Sequence, residues 1–143
     1  MSGPETHLRL NLREISEIGA GLDALDQALS TAGTPTRPRH HHLLAVEEVI
    51  VNALTHCRQA VKDGVTIDAA VGNARVVTTI EYPGPVFDLS DPAAILPKHP
   101  ERIGGHGLRL LHAVAERLAY AYVDGINVVT LSQRWTPARC HTA

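Results

Sequence analysis

Aromatic residues are scarce in this chain, which has one Trp, one Phe and three Tyr and is 3% aromatic. A core with so few rings must consist mainly of Leu, Val, Ile and Ala, and little aromatic surface is left on which nucleic-acid bases could stack. Neither charge sign predominates, because the net charge is −2 and the basic residues are scattered. Electrostatics therefore gives no support to a nucleic-acid partner.

Cysteine and long apolar runs are also sparse. The two cysteines, Cys57 and Cys140, form neither a disulfide pattern nor a metal motif, which predicts a cytoplasmic protein. The first residues, MSGPETHLRL, do not resemble a signal peptide, and no apolar run approaches the roughly 18 residues of a membrane helix. We therefore expect no membrane partner. The length suits a single domain over 1–143, with a core from about 7 to 135 and a tail at 136–143.

The most informative segment is LLAVEEVIVNALTHC, from Leu43 to Cys57, which predicts a helix. Its apolar residues repeat with a period of 3.6, and a narrow polar strip on the opposite side carries Glu48 and Asn52 one turn apart. Because apolar residues border this strip on both flanks, one hypothesis is a carboxylate and an amide buried together in a cleft. The alternative is a solvated strip with an ordinary Glu–Asn pair.

Periodicity and turn residues predict the other elements. The predicted strands are His7–Leu12, Val65–Val71, Arg75–Tyr82, Ala119–Val123 and Val128–Trp135, and two further helices cover Glu14–Ala32 and Leu108–Leu118. Gly72-Asn73 and Asp124-Gly125 predict two-residue hairpin turns, the second of type I′. This order predicts an α+β fold, a two-layer sandwich in which a mixed, mainly antiparallel sheet is covered on one face by helices.

Two segments without periodicity separate these elements. We interpret residues 33–42, with the histidine run His40–His42, as a solvated linker, since three consecutive histidines cannot share one face and no Cys or acidic ligand lies at metal spacing. Residues 85–103 contain four prolines and predict either a functional lid or disorder. The glycines of Gly104–Gly107 then precede a helix, an arrangement that suits phosphate binding but also serves as a simple helix start.

In combination, these motifs resemble those of the GHKL (Bergerat-fold) ATPase superfamily. Within it, the chain is similar to the anti-sigma-factor serine kinases and their histidine-kinase-like ATPase relatives, from about His7 to Trp135. AVEEVIVNALTH resembles the N box of that family, GGHGLRLL its second glycine box, GPVFD the residues just after its first glycine box, and INVVTL its closing strand. The resemblance implies the Bergerat fold.

The resemblance also implies ATP and Mg²⁺ as cofactors and assigns a role to each matching position. Glu48 is then the general base that acts on a serine hydroxyl, and Asn52 holds the Mg²⁺. The other implied nucleotide-binding residues are His56, Tyr82, Gly84, Gly105, His106, Gly107, Leu108 and Thr130. The lid at about 85–103 is expected to close over the nucleotide.

One position departs from the family pattern. Tyr82 takes the place of the aspartate that accepts a hydrogen bond from the adenine amino group, and Val86 replaces a usual glycine. Glu81 is the adjacent carboxylate, but strand alternation directs it to the other face of the sheet. Adenine recognition at Tyr82 is therefore the point at which this sequence differs most from its relatives.

Several hypotheses about function follow. The first is a Mg-ATP-dependent serine/threonine kinase that phosphorylates an anti-anti-sigma (STAS-type) antagonist and holds a sigma factor, with homodimerisation as a family tendency. The alternative, favoured by Tyr82, is a nucleotide-deficient module that sequesters a sigma factor or a similar partner. The catalytic domain of a two-component histidine kinase would need a phosphoacceptor helix pair, which this sequence does not supply. An α+β domain with none of these activities is the last alternative.

Overall fold

A computed structural model describes residues 5–91 and 104–137. These residues form five β-strands and four α-helices, and a short 3-10 turn at Ile15–Glu17 precedes the first helix. Along the chain the elements are β1 (Thr6–Leu12), α1 (Ile18–Thr31), α2 (Thr36–His56), α3 (Arg58–Asp63), β2 (Val65–Val71), β3 (Arg75–Pro83), α4 (Gly104–Val114), β4 (Arg117–Val123) and β5 (Ile126–Arg134). All five predicted strands are confirmed, to within two residues at each end.

The strands form one sheet in the order β1-β2-β3-β5-β4. All four pairings between these described strands are antiparallel, so the mixed component of the predicted sheet is absent from them. Alternate residues of β2, from Val65 to Val71, are buried under the helices, whereas the residues between them lie on the open face. The predicted α+β class, with helices on one face of the sheet, is confirmed.

Helix α2 lies on the two central strands, β3 and β5, and also packs against α1 and α4. Its buried stripe includes Val46, Ile50, Ala53 and, just after its end, Cys57, as the sequence predicts. Burial of one such aliphatic side chain contributes roughly 1.5–3 kcal/mol, so this stripe fixes the helix to the sheet. No helix within residues 5–91 and 104–137 has the length and apolar character needed to cross a membrane.

The prediction of a solvated linker at residues 33–42 is wrong, because α2 begins at Thr36. Pro38 falls in the first turn of the helix, where backbone N–H groups have no intrahelical acceptor and a proline therefore removes no hydrogen bond. The first helical bond runs from the Arg39 N–H to the Pro35 carbonyl at 3.0 Å. Pro35 and Pro38, which lie in the segment predicted as a linker, are thus compatible with the start of a helix.

The histidine run lies on this helix, and one of its members is part of the core. His42 is only 1% exposed, and its Nε2 lies 2.6 Å from Oγ1 of the buried Thr78 on β3. Burial lowers the pKa of His42 to about 4, because the charged imidazolium would lose its hydration. Within the described residues, no three His, Cys, Asp or Glu side chains are grouped to hold a metal ion.

Two other boundaries differ from the predictions. Helix α4 starts at Gly104 and ends at Val114, so Leu118 belongs to β4, where it pairs with Leu131 of β5. The β2–β3 turn is shifted by one residue, since the Gly72 N–H bonds to the Arg75 carbonyl at 2.9 Å. The predicted type I′ turn is supported by positive φ angles at Asp124 (50°) and Gly125 (80°).

We expect His42 to make folding stability depend on pH. Its pKa is about 6.5 in the unfolded chain and about 4 in the folded one. The contribution of the neutral, buried imidazole to the free energy of unfolding is therefore complete above pH 6.5 and declines as the pH falls toward 4. The loss over this range is roughly 3 kcal/mol. Urea unfolding at several pH values should therefore show a flatter pH dependence for His42→Gln than for the wild type. His40→Gln, which removes an exposed histidine from the same helix, should keep the wild-type slope. An unchanged slope in His42→Gln would contradict this assignment.

Candidate functional site

Glu48 and Asn52 lie one turn apart on α2, on the side of the helix that does not face the sheet core. Both side chains are half-buried, so the structure lies between the buried cleft and the solvated strip considered from the sequence. Partial burial raises the pKa of Glu48, and the neighbouring charge of Glu47 raises it further. Among the described residues, neither Glu48 nor Asn52 forms a side-chain hydrogen bond or ion pair. As far as the described side chains go, both groups are therefore available to another molecule.

Tyr82 lies near the end of β3 with its ring turned toward the helices. It is 3% exposed, and its neighbour across the sheet is Asn127 on β5, which is fully buried. Burial, together with the nearby Tyr120 and Cys57, raises the pKa of the Tyr82 phenol above its usual value, so the group is neutral at physiological pH. Glu81 is exposed on the opposite face, as alternation predicts. The β3–β5 pairing continues unbroken through Pro83, so no bulge reverses it.

The end of β3 and the segment that follows it, residues 84–91, are held by side chains from several elements. We refer to residues 84–91 as the post-β3 loop. Three consecutive carbonyls each accept a side-chain hydrogen bond. The pairs are Cys57 Sγ to Pro83 O at 2.9 Å, Tyr122 OH to Gly84 O at 2.7 Å, and Asn127 Nδ2 to Pro85 O at 3.1 Å. The end of β3 is thus fixed to the residue that follows α2, and the post-β3 loop is fixed to β4 and β5.

Asn127 is the centre of this hydrogen-bond network. Its Oδ1 accepts from the Tyr120 hydroxyl at 2.5 Å and from the Phe87 N–H at 3.2 Å. The Phe87 N–H also lies 3.0 Å from the Tyr120 oxygen. A buried amide whose oxygen and nitrogen are both bonded in this way is costly to disturb, because a broken bond leaves a polar group unsatisfied.

Four of the five aromatic residues of the chain gather at this end of the sheet. They are Tyr82, Phe87, Tyr120 and Tyr122, with Trp135 as the exception. Phe87 and Tyr122 remain 43% and 42% exposed, so two of these rings present surface to solvent. The sparse aromatic content is therefore concentrated where the resemblance places the first glycine box.

Gly84 is required at its position by both conformation and space. Its φ of +147° is strained for other residues, and a Cβ placed there would lie 2.2 Å from Sγ of Cys57. The sequence assigns Gly84 to nucleotide binding. In the structure it is buried, and it allows the post-β3 loop to approach the end of α2.

The remaining predicted residues fall in three places. His56 is exposed at the end of α2. Thr130 lies between the buried Val129 and Leu131, so its side chain is on the open face of the sheet and is not brought together with Glu48. Gly105, His106, Gly107 and Leu108 lie in the first turns of α4, but their side chains are outside what the structure describes. Residues 92–103 of the predicted lid also lie outside the described residues.

Sequence reasoning missed Asn127. The predicted last strand began at Val128, two residues after the observed start of β5, which left Asn127 outside the strand. Strand alternation could have revealed it. Asn127 lies two positions before Val129 and so points to the same buried face, where a polar side chain has to find hydrogen-bond partners.

With the geometry established, the comparisons with known proteins identify the family. Residues 12–133 match the model of the histidine kinase-like ATPase domain. The chain belongs to this family. Its GHKL fold also matches the crystal structure of the RsbU and RsbW domains of Rv1364c from Mycobacterium tuberculosis, with a TM-score of 0.67 at 20% identity. That match covers 98% of this chain and 35% of the other, so this chain spans about a third of the length of the chain it matches. A comparison with curated proteins found no match.

Membership of the histidine kinase-like ATPase family implies a nucleotide site. In the candidate site, the metal ion and phosphates would bind at the end near Asn52 and α4, and the base would bind at the end near Tyr82. These two ends fit a nucleotide differently. Asn52 offers a free amide oxygen, the hard ligand that Mg²⁺ prefers, and a helix N-terminus such as that of α4 suits phosphate. The end at Tyr82 does not fit an adenine-binding carboxylate, because a neutral, buried phenol stands there. The metal and phosphate end is therefore consistent with the family, whereas the base end is not.

We expect Gly84→Ala to destabilise the fold by about 2–4 kcal/mol, through the contact with Cys57 and the unfavourable φ. Gly33→Ala is the matched control, because Gly33 has a similarly positive φ of +79° but open space around it. The control should lose only about 1–2 kcal/mol. Urea unfolding of both variants measures the difference. Adding Cys57→Ala to Gly84→Ala should recover part of the loss, and equal destabilisation of the two glycine variants would contradict this account.

Proposed function

We propose that the chain is an ATP-binding, anti-sigma-type regulator of the cytoplasm that acts as a Mg²⁺-dependent protein serine kinase. The observation that carries the proposal is the pair Glu48 and Asn52, one turn apart and free of other described partners on a helix that belongs to a histidine kinase-like ATPase domain. The N-box resemblance to anti-sigma serine kinases and the fold shared with a protein that has an RsbW domain support it. The substrate would be a serine of a STAS-type antagonist, and the second partner would be a sigma factor.

Asn52 would hold the metal ion. Mg²⁺ bound with ATP supplies positive charge beside the phosphates, and an amide oxygen coordinates it without the added negative charge of a carboxylate. Asn52 is half-buried on α2, where it has no side-chain hydrogen bond to another described residue.

Glu48 would accept the proton of the substrate hydroxyl. A carboxylate with an ordinary pKa is a weak base, and the raised pKa of Glu48 moves it toward the range in which proton transfer is effective. Two causes raise it, partial burial and the charge of Glu47, and the second can be removed without altering Glu48 itself.

The second candidate function is a binding module that needs no nucleotide. The tethered post-β3 loop and the buried Tyr82 favour it, because both occupy the end of β3 where the family's aspartate is expected. The two candidates differ in whether partner binding depends on ATP.

For the metal role, we expect Mg²⁺-dependent ATP binding that Asn52→Ala weakens at least tenfold. Titration calorimetry with ATP and ADP, with and without Mg²⁺, measures this. Asn73→Ala is the control, since it removes an exposed amide in the β2–β3 turn and should bind as the wild type does. Absence of ATP binding by the folded wild type would favour the nucleotide-free module, and equal binding by Asn52→Ala would exclude Asn52 as the metal ligand.

For the base, Glu48→Gln should bind Mg-ATP within about threefold of the wild type but lose at least a hundredfold in the rate of serine phosphorylation, the usual contribution of a general base. The assay uses purified STAS-type proteins and their Ser→Ala variants. Glu47→Gln should retain transfer, and the acidic limb of its pH–rate profile should shift to lower pH, since the charge that raises the pKa of Glu48 is gone. Rapid transfer by Glu48→Gln would rule out this role.

A further inference from the structure

The outward side of α2 continues from Glu48 toward the start of the helix. At about 100° per residue, three residues lie within about 40° of Glu48 around the helix axis. They are Arg37, His41 and Leu44, which we refer to as the N-terminal stripe. Arg37 and Leu44 are exposed and His41 is half-buried, whereas His42, on the sheet side of the same helix, is buried. Because one helix carries all of them, the stripe keeps a fixed position relative to Glu48.

The N-terminal stripe changes from apolar to basic with distance from Glu48. Leu44 lies about 6 Å from Glu48 along the helix axis, His41 about 10 Å and Arg37 about 16 Å. The Leu44 side chain is 37% exposed, which places it among the large apolar residues that the fold leaves at the surface. Arg37 carries a positive charge in the first turn of the helix, where the free N–H groups add positive potential, and His41 offers ring N–H donors. Neither Arg37 nor His41 forms a side-chain hydrogen bond or an ion pair with another described residue.

The direction of phosphoryl transfer relates this stripe to the proposed reaction. Asn52, the proposed Mg²⁺ ligand, lies one turn beyond Glu48 toward the end of α2, so the nucleotide phosphates would bind on that side of the base. The attacking and leaving oxygens lie roughly in line during transfer, so the serine has to enter from the side opposite the nucleotide. A protein that brings its serine to Glu48 from that side lies over the first half of α2.

We infer that the N-terminal stripe docks the serine-bearing protein substrate. The inference rests on the proposed function, because it takes Glu48 as the base and Asn52 as the metal ligand. The substrate presents an apolar side chain to Leu44 and an acidic side chain to His41 and Arg37.

Charge complementarity specifies the substrate further. Glu47 and Glu48 repel a carboxylate placed beside the serine, whereas Arg37 attracts one at the far end of the stripe. The matching surface therefore has its serine about 6 Å from an apolar group and about 10–16 Å from a carboxylate.

Steady-state kinetics on a STAS-type protein that the wild type phosphorylates tests the charged end of the stripe. Arg37→Glu should raise the KM for this protein at least tenfold and leave kcat within about threefold, because Arg37 contacts neither ATP nor the reacting atoms. An acidic residue suits the first turn of a helix, so the variant should fold. Arg75→Glu is the control, since it reverses an exposed charge on β3 and should keep the wild-type KM. Single Asp→Lys and Glu→Lys substitutions on the substrate should include one that restores the KM with Arg37→Glu, and the absence of any such rescue would contradict the acidic contact.

The apolar end of the stripe has a closely matched control. Leu44→Asp should raise the KM at least tenfold. Leu110→Asp changes a leucine of α4 that is also 37% exposed, and it should stay within about threefold of the wild type. Calorimetry should give all variants the wild-type affinity for Mg-ATP, because the stripe lies on the side of Glu48 opposite Asn52.

The outcomes separate this inference from the proposed function. An unchanged KM in both Arg37→Glu and Leu44→Asp would overturn the inference while the proposed kinase stands. A fall in kcat without a rise in KM would also overturn it, because the stripe would then act in the chemical step and not in docking. If the wild type binds Mg-ATP but phosphorylates no STAS-type protein, the proposed function fails and the inference fails with it.

Discussion

The packing of α2 on the central strands determines where every other feature lies. Two polar contacts join this helix to the same strand: His42 meets Thr78 in the middle of β3, and Cys57 meets Pro83 at its end. The contacts are about 22 Å apart along the helix and about 17 Å apart along the strand, and their order shows that α2 runs in the same direction as β3. Because α2 is fixed at these two points with its apolar stripe on the sheet, the side that carries Glu48 and Asn52 faces away from the sheet.

Two parts of the candidate site follow different physical rules. Glu48 and Asn52 are half-buried and have no side-chain partners among the described residues, so their bonding capacity is available to a ligand. At the end of β3, Tyr122 and Asn127 donate to the Gly84 and Pro85 carbonyls, and the Phe87 N–H donates to Tyr120 and Asn127. Polar groups that are satisfied internally stabilise a loop conformation but lose the ability to recognise a ligand.

The sequence was sufficient for features that depend on local periodicity. Alternation located all five strands, and the 3.6-residue repeat of α2 placed Glu48 and Asn52 on one strip. It was insufficient where tertiary contacts decide. The start of α2 was missed because prolines at a first turn are indistinguishable in sequence from prolines in a linker, and the burial of His42 depends on Thr78, 36 residues away. Thr130 was matched by motif, but the sheet register turns its side chain to the open face.

Trp135, the single tryptophan, donates its ring N–H to the Asn73 carbonyl at 2.8 Å, beside the turn between β2 and β3. The three tyrosines lie at the opposite end of the sheet, about 25 Å away along β3. The two kinds of intrinsic fluorophore are therefore separated by the architecture itself. Tryptophan emission reports on the integrity of the sheet, whereas tyrosine absorbance and emission report on the candidate site, so one unlabelled sample can distinguish unfolding from ligand occupancy.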